Sequence, residues 1–311
     1  KSSKFDKHDE NTKQKIGSLQ SEKPLEVLFE GVDLNIYKKT NQFSKELVEQ
    51  METIEEDFCF LHVGHWLQGK LGEDRKDLGM LVKVFCETFK NQKNSPALVL
   101  KTSGATPCII DREDILDKIE NIKKQVVGNL PNIYVLHGDL RDEEINELYN
   151  HPKIKAHVSF THGEGFGRPL LEATISEKPV IASNWSGQTD FLTNDSILLP
   201  GTLINVAKDS LPKEFLLDES QWFQVNYQYA SNVLKEIYKN YPKYVTKSKK
   251  QAIVNKTKFS LEKMTEKLDE ILTKYLPKFE EQPQKVDLKL PKLKKIQKPK
   301  KVELPKLKKV N

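Results

Sequence analysis

Short apolar runs along the chain alternate with segments in which apolar residues recur every three or four positions. Apolar runs bounded by turn residues are typical of buried strands, and the longer period is typical of helices. The predicted strands are residues 25–29, 58–63, 97–100, 132–136, 156–160, 180–182 and 197–199. The predicted helices between them are residues 42–54, 78–89, 112–125, 142–148 and a segment that starts at Pro169 and stops before Lys178.

Most of these strands are nearly continuous apolar runs, which is the pattern of parallel strands covered on both faces. We therefore predict an α/β fold, a Rossmann-like doubly wound parallel sheet over residues 56–202. Residues 1–55 are expected to be an inter-domain segment and linker. Residues 203–277 are expected to form C-terminal helices, the first over about 220–240 with an aromatic face. Residues 278–311 are expected to be a disordered Lys/Pro-rich tail.

Ligands of such sheets bind beyond the carboxyl ends of the strands, where the connecting loops face one crevice. This rule predicts that Gly64, Gly104, the turn at residues 137–140 and Glu164 lie near one another.

The strongest chemical signal is the loop that follows the strand at 156–160. It reads Gly163-Glu164-Gly165-Phe166-Gly167-Arg168-Pro169-Leu170-Leu171-Glu172. Glycines let backbone N–H groups approach an anion, and a helix N-terminus adds unpaired donors and a positive dipole end. Arg168 adds a cation, while Glu164 and Glu172 can each accept two hydrogen bonds from sugar hydroxyls. This layout suits a ligand with hydroxyls at both ends and phosphate between them.

The same loop resembles the E-x7-E motif of retaining GT-B glycosyltransferases of the group 1 type, in their C-terminal donor-binding domain. Three further segments are typical of that family, and the resemblance extends over about residues 25–275. They are the turn Glu30-Gly31-Val32-Asp33, the run Lys178-Pro179-Val180-Ile181-Ala182 and the pair Ser186-Gly187.

The resemblance implies roles for individual residues. Glu164 would face the donor sugar as the catalytic residue, and Glu172 would bind the nucleotide ribose. The other implied donor-binding residues are Gly165, Phe166, Gly167, Arg168, Gly64, Leu140, Arg75 and Lys76. The family has a Gly-Arg pair after the first strand, where this chain has Gly64-His65, so Arg75 and Lys76 are the candidates for the diphosphate cations. The turn from His137 to Leu140 would lie by the base.

The implied function is transfer of a sugar from a nucleotide-diphosphate sugar to an acceptor with retention of configuration. The leaving phosphate would help to deprotonate an acceptor that attacks from the same face. The resemblance requires no metal and no cofactor besides the donor substrate. We expect this chain to supply the donor-binding half and to be incomplete without an N-terminal acceptor domain. Carbohydrate, lipid-linked and protein acceptors all remain open.

Two other classes of protein share part of this pattern. A noncatalytic nucleotide-sugar-binding or scaffold module would carry the same loop without transferring sugar. A dinucleotide-dependent oxidoreductase is disfavoured because Gly64 is followed by His65-Trp66-Leu67-Gln68 and no G-x-G-x-x-G follows the first core strand.

Charge and cysteine content add limits on partners and compartment. Eleven Lys and only two acids lie between Pro283 and Asn311, so the basic net charge of +5 belongs to the tail. A nucleic-acid groove in the folded part is therefore not expected. The tail could be a solubilising extension, a tether to an anionic surface or a link to a partner. Three widely spaced cysteines, with no long apolar span, favour a cytoplasmic protein, with peripheral membrane contact left open.

Overall fold

The computed structural model of the chain describes residues 4–9, 12, 14–20, 23–67, 69–104, 106–207, 210 and 219–277. The expected disordered tail at residues 278–311 lies outside the described residues. No helix in the described part is long and apolar enough to cross a membrane.

Ten strands, seven α-helices and one 3-10 helix (Gly187–Asp190) make up the described secondary structure. The strands are β1 (Lys4–His8), β2 (Lys15–Gln20), β3 (Cys59–Val63), β4 (Ala97–Lys101), β5 (Ile133–Leu136), β6 (Ile154–Ser159), β7 (Val180–Ser183), β8 (Ile197–Leu199), β9 (Gly201–Asn205) and β10 (Gln221–Val225). The α-helices are α1 (Lys45–Glu52), α2 (Leu78–Phe89), α3 (Ile109–Lys123), α4 (Asp142–Asn150), α5 (Arg168–Ile175), α6 (Tyr227–Lys258) and α7 (Leu261–Tyr275).

The central sheet has six parallel strands in the order β5-β4-β3-β6-β7-β8. The chain winds outward from β3 to β5 in one direction, returns to β6 beside β3, and then winds outward to β8. The predicted doubly wound Rossmann-like sheet is therefore confirmed. The order reverses between β3 and β6, so the loops after these two strands meet at the point where such sheets bind ligands.

Each face of the sheet is covered by a separate apolar core. Phe60, Leu98 and Val158 point to the core that holds α2, α3 and the start of α6. Their neighbours Leu61 and Val99 point to the core that holds α1, α4 and α5. Adjacent strand residues enter opposite cores, which explains why successive residues of β3 and β4 are apolar.

Two predicted elements differ from the structure. Residues 25–29 form no strand, and Val27 is 71% exposed, because this apolar run has no strand beside it to pair with. The helix predicted over 220–240 begins only at Tyr227, and residues 221–225 form β10, which pairs antiparallel with β9. Trp222, Phe223 and Val225 are buried through this pairing, which helical periodicity did not indicate.

Candidate functional site

The loop between β6 and α5 is fixed by the segment that follows β7. Gly167 has a φ of 99°, a left-handed conformation that suits glycine, and it is the N-cap of α5. Ser186 Oγ and the Gly187 amide both donate to the Glu164 carbonyl, at 2.6 and 3.1 Å. A Cβ on Gly187 would lie 2.1 Å from the Gly165 carbonyl oxygen, so the two backbones touch. The Ser186-Gly187 pair thus sets the position of Glu164.

The three residues after Glu164 leave their backbone amides without a partner in the part of the chain that the structure describes. Among the described residues, no hydrogen bond is donated by the amides of Gly165, Phe166 or Gly167. A Cβ on Gly165 would meet nothing within 4 Å, whereas the ring of Phe166 is buried against Phe191 and Phe259. The loop is therefore anchored by an aromatic side chain, while its unpaired amides directly precede the N-terminus of α5, an arrangement that suits an anion.

Two cations converge on the Glu164 carboxylate across the switch point. Lys76 Nζ lies 2.5 Å from Glu164 Oε1, and Arg75 Nη1 lies 3.2 Å from Glu164 Oε2. Arg75 Nη1 also donates to the Gly163 carbonyl at 3.0 Å. The Lys76 and Glu164 side chains are 8% and 9% exposed, while Arg75 is 38% exposed. The structure thus brings together residues 88 or more positions apart.

The ionisation of Glu164 follows from these contacts. Burial by itself disfavours the carboxylate, but the ammonium of Lys76 and the guanidinium of Arg75 outweigh it and hold the pKa of Glu164 below its usual range. Glu164 is accordingly an anion at neutral pH. It can accept hydrogen bonds, and it is a poor proton donor.

The loop that carries the two cations is held by unusual capping of α2. Asp77 is the N-cap residue, with a φ of 51°, yet its side chain makes no capping hydrogen bond. Asp74 caps the N-terminus of α2 instead, because its carboxylate accepts from the Leu78 amide at 3.2 Å. Gly64 lies beneath the loop, since a Cβ there would lie 3.5 Å from Lys76 Cε. The Asp77 side chain is therefore free to turn inward.

Glu172, the second acid of the loop, has a different environment. Its Oε1 accepts from Arg168 Nε at 2.9 Å, one turn earlier on α5. The Glu172 side chain is 7% exposed, but Arg168 is 53% exposed. Burial raises the pKa of Glu172, and neither Arg168 nor the Tyr37 hydroxyl fully offsets it.

A cavity of about 370 Å³ lies at the carboxyl ends of β4 and β5. Leu140 and His137 line it, together with residues of α1 and α4. His137 Nε2 lies 2.7 Å from the Asp111 carboxylate, which also accepts from the Gly104 amide. This network fixes the 137–140 turn against the loop after β4.

The predicted site residues fall into three groups. Gly64, Arg75, Lys76 and Glu164 lie together; Arg168 pairs with Glu172 on α5; and Leu140 lines the cavity. His65 turns away from Glu164, and its Nδ1 lies 3.2 Å from Ser103 Oγ.

Asp77 and Asp111 are not among the site residues predicted from the sequence. An acid at the start of a helix is usually explained by the helix dipole, so neither position carried a distinguishing signal.

The family was identified by comparing the chain with known proteins. Residues 76–214, which include Lys76, Glu164 and Glu172, match the family model described as glycosyl transferases group 1. This part of the chain is similar to the group 1 glycosyl transferases. The resemblance to group 1 glycosyl transferases predicted from the sequence is thereby confirmed. No curated protein matches the chain.

Solved structures share the fold of this chain. The C-terminal domain of the group 1 glycosyl transferase LpcC from Francisella tularensis is 19% identical, with a TM-score of 0.52, over 74% of this chain and 100% of that domain. HepE from Anabaena, solved with UDP and glucose, is 16% identical, with a TM-score of 0.54, over 80% of this chain and 57% of that one. Sucrose-phosphate synthase from Thermosynechococcus elongatus is 16% identical, with a TM-score of 0.53, over 79% and 51%. The chain therefore spans about half the length of the two longer structures.

Proposed function

We propose that this chain binds a nucleotide-diphosphate sugar and supplies the donor side of a retaining glycosyltransferase. The observation that carries the proposal is the convergence of Lys76, Arg75 and Glu164 beside the open N-terminus of α5. The structural neighbour HepE was solved with UDP-glucose, and this also favours a nucleotide sugar as the ligand.

The diphosphate would bind between the cations and the loop amides. Lys76 and Arg75 supply positive charge on one side, and the Gly165, Phe166 and Gly167 amides supply unpaired donors on the other. Donors that are already aimed at a leaving diphosphate stabilise the negative charge that develops during transfer. This arrangement needs no metal ion to activate the leaving group.

Glu164 would then be released from part of its pairing with Lys76 and Arg75. Its carboxylate stays ionised, so it would accept hydrogen bonds from donor-sugar hydroxyls and stabilise positive charge that develops on the sugar ring. A proton-donor role is disfavoured by its lowered pKa. The leaving phosphate, rather than Glu164, would take the acceptor proton, as retention by same-face attack requires.

Glu172 and the cavity would hold the nucleoside. A carboxylate near the α5 N-terminus can accept from both ribose hydroxyls. The 137–140 turn would contact the base, with Leu140 packed against it. Gly64 would leave room for the diphosphate beside Lys76.

Calorimetry with UDP, GDP, ADP and CDP tests donor binding directly. We expect one of these to bind, and a tenfold or larger loss of affinity in Lys76→Met. The absence of binding by all four would overturn the proposal.

Catalysis is separated from binding alone by variants of Glu164. In a chain that includes the acceptor domain, we expect Glu164→Gln to reduce transfer by about 100-fold or more, with nucleotide affinity within a few-fold of wild type. Transfer that is undiminished in this variant would favour the noncatalytic nucleotide-sugar-binding module.

A further inference from the structure

His162 lies in the β6–α5 loop, two residues before Glu164, and connects three parts of the molecule. Its amide donates to the Arg75 carbonyl at 2.9 Å, and its own carbonyl accepts from the Phe223 amide at 3.0 Å. Its ring contacts the Gly72 carbonyl. His162 therefore joins β10 and the 69–77 loop, which carries both cations of the candidate site.

Both ring nitrogens of His162 face carbonyl oxygens. Nδ1 lies 2.7 Å from the Phe223 oxygen, and Nε2 lies 3.2 Å from the Gly72 oxygen. A carbonyl can only accept, and a neutral imidazole has one N–H and one lone pair. Only the imidazolium, with two N–H groups, donates to both oxygens.

The surroundings of the ring also favour a positive charge. The Trp222 indole is stacked on it at 4.1 Å between centroids and 17° between planes, a geometry that stabilises a cation. Asp77 Oδ1 lies 3.9 Å from His162 Nε2 and has no hydrogen-bond partner of its own among the described residues. Asp77 Oδ2 accepts from the Tyr227 hydroxyl at 2.7 Å. The His162 and Asp77 side chains are both fully buried.

The ionisable groups that face His162 and Asp77 come from the 69–77 loop and from α6. Asp74 and Asp77 approach from the 69–77 loop, Tyr227 approaches from α6, and β10 contributes uncharged groups. Burial lowers the pKa of His162, while its carbonyl contacts oppose that effect. Burial also raises the pKa of Asp77 to about 8. Burial alone would thus place a shared proton on Asp77, whereas the two carbonyl contacts, which a neutral ring cannot both satisfy, place it on His162.

We propose that His162 is a positioning residue whose imidazolium, paired with the Asp77 carboxylate, holds the 69–77 loop so that Lys76 and Arg75 reach the donor diphosphate. The proposal rests on the donor-binding function argued above. The proposal also explains why the Asp77 side chain does not cap α2, because its carboxylate serves as the buried counter-ion of His162.

The protonation state is tested by nitrogen NMR of the protein labelled in its histidine rings. At pH 7 we expect both ring nitrogens of His162 to be protonated, a signature that disappears in Asp77→Asn. The signal is assigned by its loss in His162→Gln. A singly protonated His162 ring in the wild type would overturn the proposal.

The positioning role is tested by hydrogen exchange and by UDP binding. Gln has one amide donor group in place of two opposed ring donors, so His162→Gln should speed amide exchange in the 69–77 loop and lower UDP affinity at least tenfold. His151→Gln is the matched control, because His151 precedes β6 at the opposite end of the sheet and should change neither. Unchanged exchange in a folded His162→Gln protein would overturn the role. If the wild type binds none of UDP, GDP, ADP and CDP, the donor-binding proposal fails, while the exchange result still decides whether His162 holds the loop.

Discussion

Glu164 lies in the β6–α5 loop, and Glu172 lies near the start of α5. The two side chains are almost equally buried, but their pKa values shift in opposite directions. The Glu164 carboxylate contacts two cations, one of them as buried as itself, and its pKa is lowered. Glu172 contacts one cation that is half exposed, and its pKa is raised. Equal burial therefore gives opposite shifts, because the number and depth of the neighbouring cations decide the sign.

This difference suits the two proposed roles. A fixed anion beside the sugar can stabilise developing positive charge without any change of protonation. An acid that is costly to ionise in the empty site gains from hydroxyl donors supplied by a ligand, since each donor stabilises the carboxylate. Four predictions test this comparison, in descending order of expected effect.

The largest effect is expected from removal of the buried cation. Lys76→Met leaves Glu164 with only the half-exposed Arg75, and we expect it to lower the free energy of unfolding by about 3 kcal/mol. The double variant Lys76→Met, Glu164→Gln should recover most of this loss. Urea unfolding measures both, and Lys123→Met, in an exposed pair with Glu120, is the control that should change nothing measurable. A double variant as unstable as the single one would contradict the pairing argument.

Two glycines between the acids should separate folding from binding. Gly167→Ala places a Cβ at a φ of 99° and should cost about 1–2 kcal/mol of stability. Gly165→Ala puts a methyl group into open space, so it should leave stability unchanged and lower UDP affinity several-fold. Thermal unfolding and calorimetry on both variants check this contrast. Full UDP affinity in Gly165→Ala would mean that the ligand does not approach this backbone.

Removal of the Glu172 charge should be tolerated. Arg168 can be hydrated when its partner is neutral, so we expect Glu172→Gln to be as stable as wild type or more stable by about 1 kcal/mol at pH 7. The same substitution should weaken UDP binding, because it removes the carboxylate that would accept hydrogen bonds from the ribose hydroxyls. A loss of several kcal/mol in urea unfolding would show that Arg168 stabilises Glu172 more than its exposure indicates.

The smallest effect concerns pH. The raised pKa of Glu172 means that the folded state binds a proton more readily than the unfolded state, so its ionisation opposes folding at neutral pH. The stability gap between wild type and Glu172→Gln should therefore shift in favour of wild type, by about 1 kcal/mol or less, as the pH falls from 7 toward 4.5. The lowered pKa of Glu164 gives the opposite sign, since its stabilisation is present above 4.5 and is lost below that pH. Unfolding curves at several pH values distinguish the two, and parallel trends would contradict the assignment.

The sequence predicted most of the central sheet because parallel strands are local apolar runs, each readable without its partners. It also predicted the start of α5, since Gly167 and Pro169 determine local backbone geometry. The strand predicted at residues 25–29 does not form, because an apolar run becomes a strand only beside another strand. The helix predicted over residues 220–240 begins later than predicted, because the pairing of β10 with β9 overrides the helical spacing of the aromatic residues at its start.

The sequence by itself determined the fold class and the resemblance to group 1 glycosyl transferases, and it predicted the candidate acids, because each of these depends on short segments of chain. Only the tertiary structure decided that Lys76 is buried against Glu164 and that His162 contacts Asp77. These contacts join residues about 85 or more positions apart, and their geometry depends on the switch in strand order between β3 and β6. Charge in a buried contact is set by all neighbouring groups together, so the ionisation of Glu164, Glu172 and His162 is a property of the folded chain.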